Sequence, residues 1–202
     1  PFFKLMMQYQ CAMLEIQTKF QVLNTEMSLD RDHKSIESIT CRLKQPKSII
    51  DKLKRRNIEI NLKNIETELH DVAGIRVICS FPDDIYKLAE KICSQDDVTL
   101  IEKKDYIASP KPNGYRSLHL ILEIPVFFAN ETKKIKVEVQ LRTIAMDFWA
   151  SIEHKVRYKK ENIVPQYILD DLRQCADRIY EMDLHMQKIS HQIEQYNLDK
   201  KI

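Results

Sequence analysis

The sequence predicts an α+β protein: a mixed, mainly five-stranded β-sheet flanked by helices, with long helices at both ends. Three observations carry this. Five segments have strand patterning and alternate with helical ones. Apolar stripes at helical spacing run through the first and the last segments. Apolar residues make up 44% of the chain, ample for one core, and 202 residues fit one domain over 1–202 with its core at about 36–160.

The N-terminal helix is expected over about 3–27, where Leu5, Tyr9, Ala12, Ile16, Phe20, Leu23 and Met27 recur every three or four residues. Residues 28–34 are polar and read as a connection. A short strand follows, with Ile39, Cys41 and Leu43 on one face and Thr40, Arg42 and Lys44 on the other. Pro46 suits the first turn of a helix running to about Arg56. The stretch 72–81 is rich in β-branched residues and reads as a buried strand, and 83–93 as a helix. Further strands are expected near 98–104, 117–124 and 134–142. The loop 109–117 between them holds two prolines and the pair Asn113-Gly114. Residues 143–159 have helical spacing, with Thr143 as N-cap.

The last helix, about 165–198, has the cleanest pattern. Ile168, Leu172, Cys175, Ile179, Met182, Met186, Ile189, Ile193 and Tyr196 form a heptad seam. That seam packs either on the N-terminal helix of the same chain or on another copy.

Composition excludes several classes. Gly74 and Gly114 are the only glycines, so neither a Gly-rich dinucleotide loop nor a P-loop is present. No stretch reaches the roughly 18 apolar residues of a membrane span. Cys11, Cys41, Cys79, Cys93 and Cys175 are scattered without a CxxC pair, which predicts reduced thiols, a cytoplasmic protein and no structural zinc. The formal net charge of +2 hides a basic run: Arg42, Lys44, Lys47, Lys52, Lys54, Arg55 and Arg56 face Asp51 alone. Such a surface suits a polyanion or a multiply phosphorylated ligand.

Candidate chemistry sits on the strand near 134–142. Its period of two puts Lys136, Glu138, Gln140 and Arg142 on one face and Val137, Val139 and Leu141 on the other. A carboxylate between Gln and Arg suits metal binding, base catalysis or both. A second carboxylate, Asp71, opens the stretch 71–81. Magnesium takes one or two carboxylates and completes its shell with water and phosphate, so Asp71 and Glu138 would suffice on neighbouring strands. Arg76 has the opposite parity to Asp71, so either Gly74 marks an irregularity or Asp71 lies just before the strand. His70-Asp71 resembles a phosphohydrolase dipeptide but lacks the helical His and Asp ligands that chemistry needs.

In the loop 103–120, Tyr115 stands near Lys104, Lys111, Asn113 and His119, a setting for stacking and edge hydrogen bonds to a nucleobase. Tyr115, Ser117 and His119 are expected on one strand face. On the helix after Pro46, Ser48, Lys52 and Arg55 share a side. With Arg42 and Lys44 they could wall a triphosphate, arginine forks gripping oxygens in pairs and lysines acting as mobile charges.

Together these segments resemble the synthetase domain of the RelA/SpoT family, in the form of a stand-alone small alarmone synthetase. The resemblance runs from about Ile39 to Tyr158 and rests on TCRLKQPKSIIDKLKRR, HDVAGIRVICSF, KDYIASPKPNGYRSLHL and VEVQLRTIAMDFWASIEHKVRYK, in order and at matching separations. It implies a nucleotidyltransferase-like synthetase fold. It also implies transfer of the β,γ-pyrophosphate of ATP to the 3′-hydroxyl of GTP or GDP in the stringent response, yielding AMP and pppGpp or ppGpp. By position, Arg42, Lys44, Lys52, Arg55 and Arg76 match ATP-holding residues and Ser48 a donor-side phosphate contact. Asp71 and Glu138 match the Mg2+ carboxylates, and Glu138 also the base for the 3′-hydroxyl. Tyr115 matches the guanine-stacking tyrosine, Lys104, Asn113 and His119 acceptor-side contacts, and Gln140 and Arg142 supporting residues of the catalytic strand.

The resemblance further implies a homotetramer built through the helical flanks. A synthetase without hydrolase is expected, since no hydrolase region precedes the motifs. At two positions the sequence departs from members activated by their own product: Cys41 replaces Gly, and Asp147 replaces Asn before Phe148-Trp149. An added carboxylate repels a phosphate-rich effector, so strong product activation is not expected. Regulatory RNA or alarmone binding stays open. A polymerase-β-type nucleotidyltransferase would show Gly-Ser followed by paired acids, absent here. A catalytically silent RNA-binding module would not need Asp71, Glu138 and the tyrosine loop together.

Overall fold

The computed structural model describes residues 1–29, 34–158 and 164–199. Five strands form one sheet in the order β1-β2-β5-β4-β3: β1 (Ile36–Leu43), β2 (Ala73–Cys79), β3 (Thr99–Asp105), β4 (Leu118–Phe127) and β5 (Thr132–Thr143). β2 and β5 run parallel, and every other pair is antiparallel. The helices are α1 (Phe2–Met27), α2 (Pro46–Arg55), α3 (Leu62–Glu68), α4 (Pro82–Cys93), α5 (Ile144–Tyr158) and α6 (Gln166–Asp199). The expected fold class is borne out.

Alternation on β5 buries Ile135, Val137, Val139 and Leu141. Over them lies α1, whose predicted stripe from Leu5 to Met27 is buried at all seven positions. The apolar side of α4, including Ile85, Leu88 and Ile92, completes that layer. The opposite face of the sheet is left polar and open, and the site forms there.

Several details differ from expectation. α3 was not anticipated, although Asn61 caps it by accepting from the Asn64 N–H at 2.8 Å and Ile65 anchors it. β4 begins at Leu118, so Tyr115 and Ser117 precede the strand instead of sharing its face with His119. Ser117 is buried and donates to the Leu141 carbonyl at 3.1 Å. β4 also continues through Pro125, beyond the last β3 partner at Glu123, where a missing N–H is tolerated. The connection at 28–34 lies partly, and Lys159 at the end of the α5 stretch wholly, outside the described residues. None of the five cysteines is in a disulfide. No helix among the described residues is long and apolar enough to cross a membrane.

α6 corrects the first reading of the heptad seam. It packs against α5 and α4, while α1 packs on the sheet and α4. Its inward stripe is the neighbouring one, through Ala176, Tyr180, Asp183 and Gln187. The contacts there are mostly polar. Trp149 donates its indole N–H to the Leu172 carbonyl at 2.9 Å, Gln187 accepts from the Asp83 N–H at 2.8 Å, and Arg116 pairs with Asp177 at 2.8 Å. Met182, Met186, Ile193 and Tyr196 stay exposed. Hydropathy locates the apolar seam, but polar bonds choose which stripe the chain uses for itself.

The Thr143 hydroxyl accepts from the Met146 N–H at 3.1 Å, capping α5 as expected, and donates to Asp183 of α6 at 2.5 Å. Burial pushes the Asp183 carboxyl up to about 6, against the lowering effect of that bond. A raised carboxyl favours the folded state below its unfolded value of 3.8, and the advantage is lost as pH rises through about 6. Asp183→Asn keeps an acceptor for Thr143 and removes the buried charge. Thermal melts should show the variant more stable than the parent at pH 7.5, by on the order of 2 kcal/mol, and the difference should shrink toward pH 4.

Candidate active site

Strand register assembles the site. One row across the sheet carries Thr40, Arg76, Gln140, His119 and Lys104, and the adjacent row carries Arg42, Gly74 and Glu138. Asp71 lies in a turn before β2, which settles the parity question: Gly74 is regular strand. A cleft of about 420 Å³ opens over these rows, bounded by Arg42, Lys44, Asp71, Arg76, Glu138 and Gln140. That volume falls in the range of sites for nucleotide-sized ligands.

At one end, Lys44 and Lys52 both bind Asp71 Oδ2, at 2.5 Å and 2.6 Å. Burial pushes the Asp71 carboxyl up, but the two lysines outweigh it and hold the group below its ordinary value. Burial likewise lowers Lys52 despite the attraction of Asp71. Asp71 Oδ1 is buried with no hydrogen-bond partner. No group of three or more His, Cys, Asp and Glu is gathered for a metal among the described residues. An ion held here would therefore need phosphate and water oxygens to complete its shell. Asp71 Oδ1 and Glu138 on one cleft fit such a magnesium ion.

At the centre, Glu138 accepts from Gln140 Nε2 at 3.1 Å and lies 3.2 Å from His119 Nδ1. Burial raises the Glu138 carboxyl and the Asp71 charge adds to this, but the bonds from His119 and Gln140 prevail and leave it lowered. His119 Nε2 lies 2.9 Å from Tyr115 Oη, to which Arg142 donates at 2.6 Å. Through these contacts the Tyr115 hydroxyl and the His119 ring link Arg142 to Glu138. Arg142 also donates to Gln140 at 3.1 Å, closing a ring of bonds through Glu138, His119, Tyr115, Arg142 and Gln140.

The remaining expected residues are less central. Ser48 and Arg55 are exposed on α2 and do not line the cleft. Asn113 donates to Glu153 of α5 at 3.1 Å and accepts from the Tyr115 N–H, so it braces its own loop. Lys104 pairs with Glu102 at 2.9 Å. Tyr115 has the Lys111 ammonium 4.9 Å and the Arg142 guanidinium 5.0 Å from its ring centre. Gly114 has φ +89°, and a Cβ there would meet the Ala176 Cβ at 2.6 Å. Only glycine lets α6 sit directly on the tyrosine loop. Asp147 was missed as a site member: it accepts from Arg142 at 2.9 Å and pairs with Arg76 at 3.3 Å. Its place in the first turn of a helix that starts at the end of β5 was the available signal.

Cations walling a cleft, a carboxylate pair on its floor and an aromatic loop beside it define a protein that handles phosphate-rich nucleotides. The model of the region found in RelA/SpoT proteins matches residues 41–163. GTP pyrophosphokinase YwaC of Bacillus subtilis is 43% identical over 186 residues, covering 92% of this chain and 89% of that one. The crystal structure of small alarmone synthetase 2 from Bacillus subtilis superposes with a TM-score of 0.85 at 40% identity, over 95% of this chain and 98% of that one. Small alarmone synthetase 1 from Bacillus subtilis, bound to its product pppGpp, has a TM-score of 0.85 at 34% identity, with coverages of 95% and 97%. The chain belongs to the RelA/SpoT family.

Gly74 leaves a gap between Arg42 and Glu138. A Cβ there would meet only the Arg42 carbonyl, at an ordinary 3.5 Å. Gly74→Ala should therefore fold normally, with stability unchanged or raised by up to about 1 kcal/mol. It should also bind a nucleoside triphosphate more weakly, because the methyl fills cleft volume. Melting and calorimetric titration check both halves; unaltered affinity in the folded variant would deny the gap a role.

Proposed function

We propose that this chain is a GTP pyrophosphokinase of the small alarmone synthetase type. It transfers the β,γ-pyrophosphate of ATP to the 3′-hydroxyl of GTP or GDP. The bond from O3′ to the β-phosphorus forms, the bond between the β-phosphorus and the α,β-bridging oxygen breaks, and AMP leaves. The products are pppGpp or ppGpp, the signals of the stringent response. The observation that carries this reading is the position of Glu138, an ionised carboxylate between a wall of Arg42, Lys44 and Arg76 and the His119–Tyr115 group. The pppGpp-bound relative supports the same product class.

In this reading Arg42, Lys44, Lys52 and Arg76 hold the ATP phosphates, with Ser48 and Arg55 at the outer margin on α2. Lys44 and Lys52 are now paired with Asp71 and can turn to phosphate oxygens when these arrive. Tyr115 stacks on guanine after a cation leaves its ring face, while Lys104, Asn113 and His119 flank the acceptor. Glu138 takes the 3′-hydroxyl proton, an effect worth roughly 10²–10⁴ in rate. Gln140 and His119 hold its two oxygens in place. Magnesium, held by Asp71 and Glu138, would neutralise charge on the transferring group.

The exposed residues Met182, Met186, Ile193 and Tyr196 on α6, and Ile144, Phe148, Ile152 and Val156 at spacing of four on α5, support assembly as a homotetramer through helical faces. A monomer by light scattering at micromolar concentration would count against it. For the reaction, ATP labelled on the γ-phosphate is mixed with GTP or GDP, magnesium and protein. Label should appear on guanosine nucleotide with matching AMP. Glu138→Gln should lower turnover by at least about 10²-fold, with nucleotide binding largely kept. Near-normal turnover of that variant would remove Glu138 from the role of base.

A further inference from the structure

Asp147 stands where the two halves of the site meet. Its Oδ1 accepts from Arg142 at 2.9 Å and pairs with Arg76 at 3.3 Å. The two arginines are unequal. Arg142 is only 7% exposed and spends its other terminal nitrogen on Tyr115 and Gln140. Arg76 is 41% exposed and lines the cleft; its Nε, like that of Arg142, is buried without a hydrogen-bond partner. One carboxylate oxygen thus joins a fixed guanidinium that orients the acceptor-side ring of bonds to an exchangeable one that faces the donor-side cleft.

We propose that Asp147 is a positioning residue that anchors Arg142 for the acceptor and is displaced from Arg76 by the phosphates of the donor. The proposal rests on the pyrophosphokinase reading for which substrate meets which arginine. A guanidinium fork trades one oxyanion partner for another without losing its geometry. Arg76 can therefore release Asp147 and take phosphate oxygens, filling its unused Nε–H as it does so. Arg142 has no such exchange open to it, because burial makes loss of its carboxylate partner expensive. The competing role is helix capping: Asp147 is an acid in the first turn of α5 and stabilises that terminus. A capping role lowers the melting temperature but has no reason to act oppositely on two ligands.

The test titrates a non-hydrolysable ATP analogue and GDP separately into the full chain by calorimetry, with melts recorded alongside. Asp147→Asn removes an anion that competes for Arg76, so the analogue should bind roughly three- to tenfold tighter. The same change loosens Arg142, so GDP should bind weaker by a similar factor and kcat should fall. Asp147→Glu retains the charge and should keep both constants near those of the parent. Constants that move together, or that do not move while the melting temperature falls, overturn the proposal. If Asp147→Asn does not fold, Asp147→Glu decides alone: a folded Glu variant with GDP affinity tenfold below the parent overturns it, and parental affinity upholds it. A parent that binds both nucleotides but transfers no label defeats the pyrophosphokinase reading and leaves the opposite shifts to decide Asp147. A parent that binds neither defeats both.

Discussion

Everything at the site depends on β5 lying between β2 and β4 with one face buried. The strand's period of two places Val137, Val139 and Leu141 in the core under α1 and sends Lys136, Glu138, Gln140 and Arg142 to the open face. A slip of one residue would turn Glu138 into that core, at the expense of an unpaired buried charge. Register is thus enforced by core packing on one side and by function on the other. The parallel pairing with β2 sets Gly74 beside Glu138 and Arg76 beside Gln140. The antiparallel pairing with β4 brings His119 beside Gln140. Arg76, Glu138, Gln140 and His119 are therefore made neighbours by backbone hydrogen bonds.

The tyrosine loop cannot rely on such pairing, since 106–117 lies outside the strands. It is held instead from above. Gly114 admits the α6 backbone, Arg116 pairs with Asp177 and stacks over Tyr180 at 4.3 Å, and Asn113 binds Glu153. α6 therefore has two duties on adjacent stripes. One stripe braces the loop and, through Asp183, the cap of α5. The other carries exposed apolar side chains.

What could be read from the sequence follows the same division. Periodic signals were reliable: the α1 stripe, the β5 alternation and the Asn113-Gly114 turn appear where their spacing placed them. The linked motifs brought Asp71, Arg76, Glu138 and Arg42 to one cleft, but their register could be known only once β2 was seen beside β5. Some signals without periodicity were lost. α3 is too short to show an apolar stripe, and its Asn61 cap alone did not announce it. The inward face of α6 is mostly polar, so hydropathy did not reveal the stripe that packs within the chain. Asp147 was visible as a departure from a family pattern, yet its partners come from β2 and β5, and no local spacing reports a contact between three elements.

The electrostatics of the empty cleft add a last constraint. Asp71 and Glu138 are both held ionised at neutral pH, although both are substantially buried and the Asp71 charge raises the Glu138 carboxyl. They remain ionised because lysines on one side and hydrogen-bond donors on the other stabilise them locally. These are the same lysines that a polyphosphate would recruit. Binding the donor therefore withdraws cations from Asp71 just as phosphate charge arrives beside it. Left uncompensated, that exchange would favour protonation of Asp71 or rejection of the ligand. A divalent cation bound with the phosphates would remove the conflict, and Asp71 Oδ1, buried and without a hydrogen-bond partner, would be an oxygen able to hold it. Until such a charged ligand arrives, Lys44 and Lys52 neutralise the buried Asp71 carboxylate in its place.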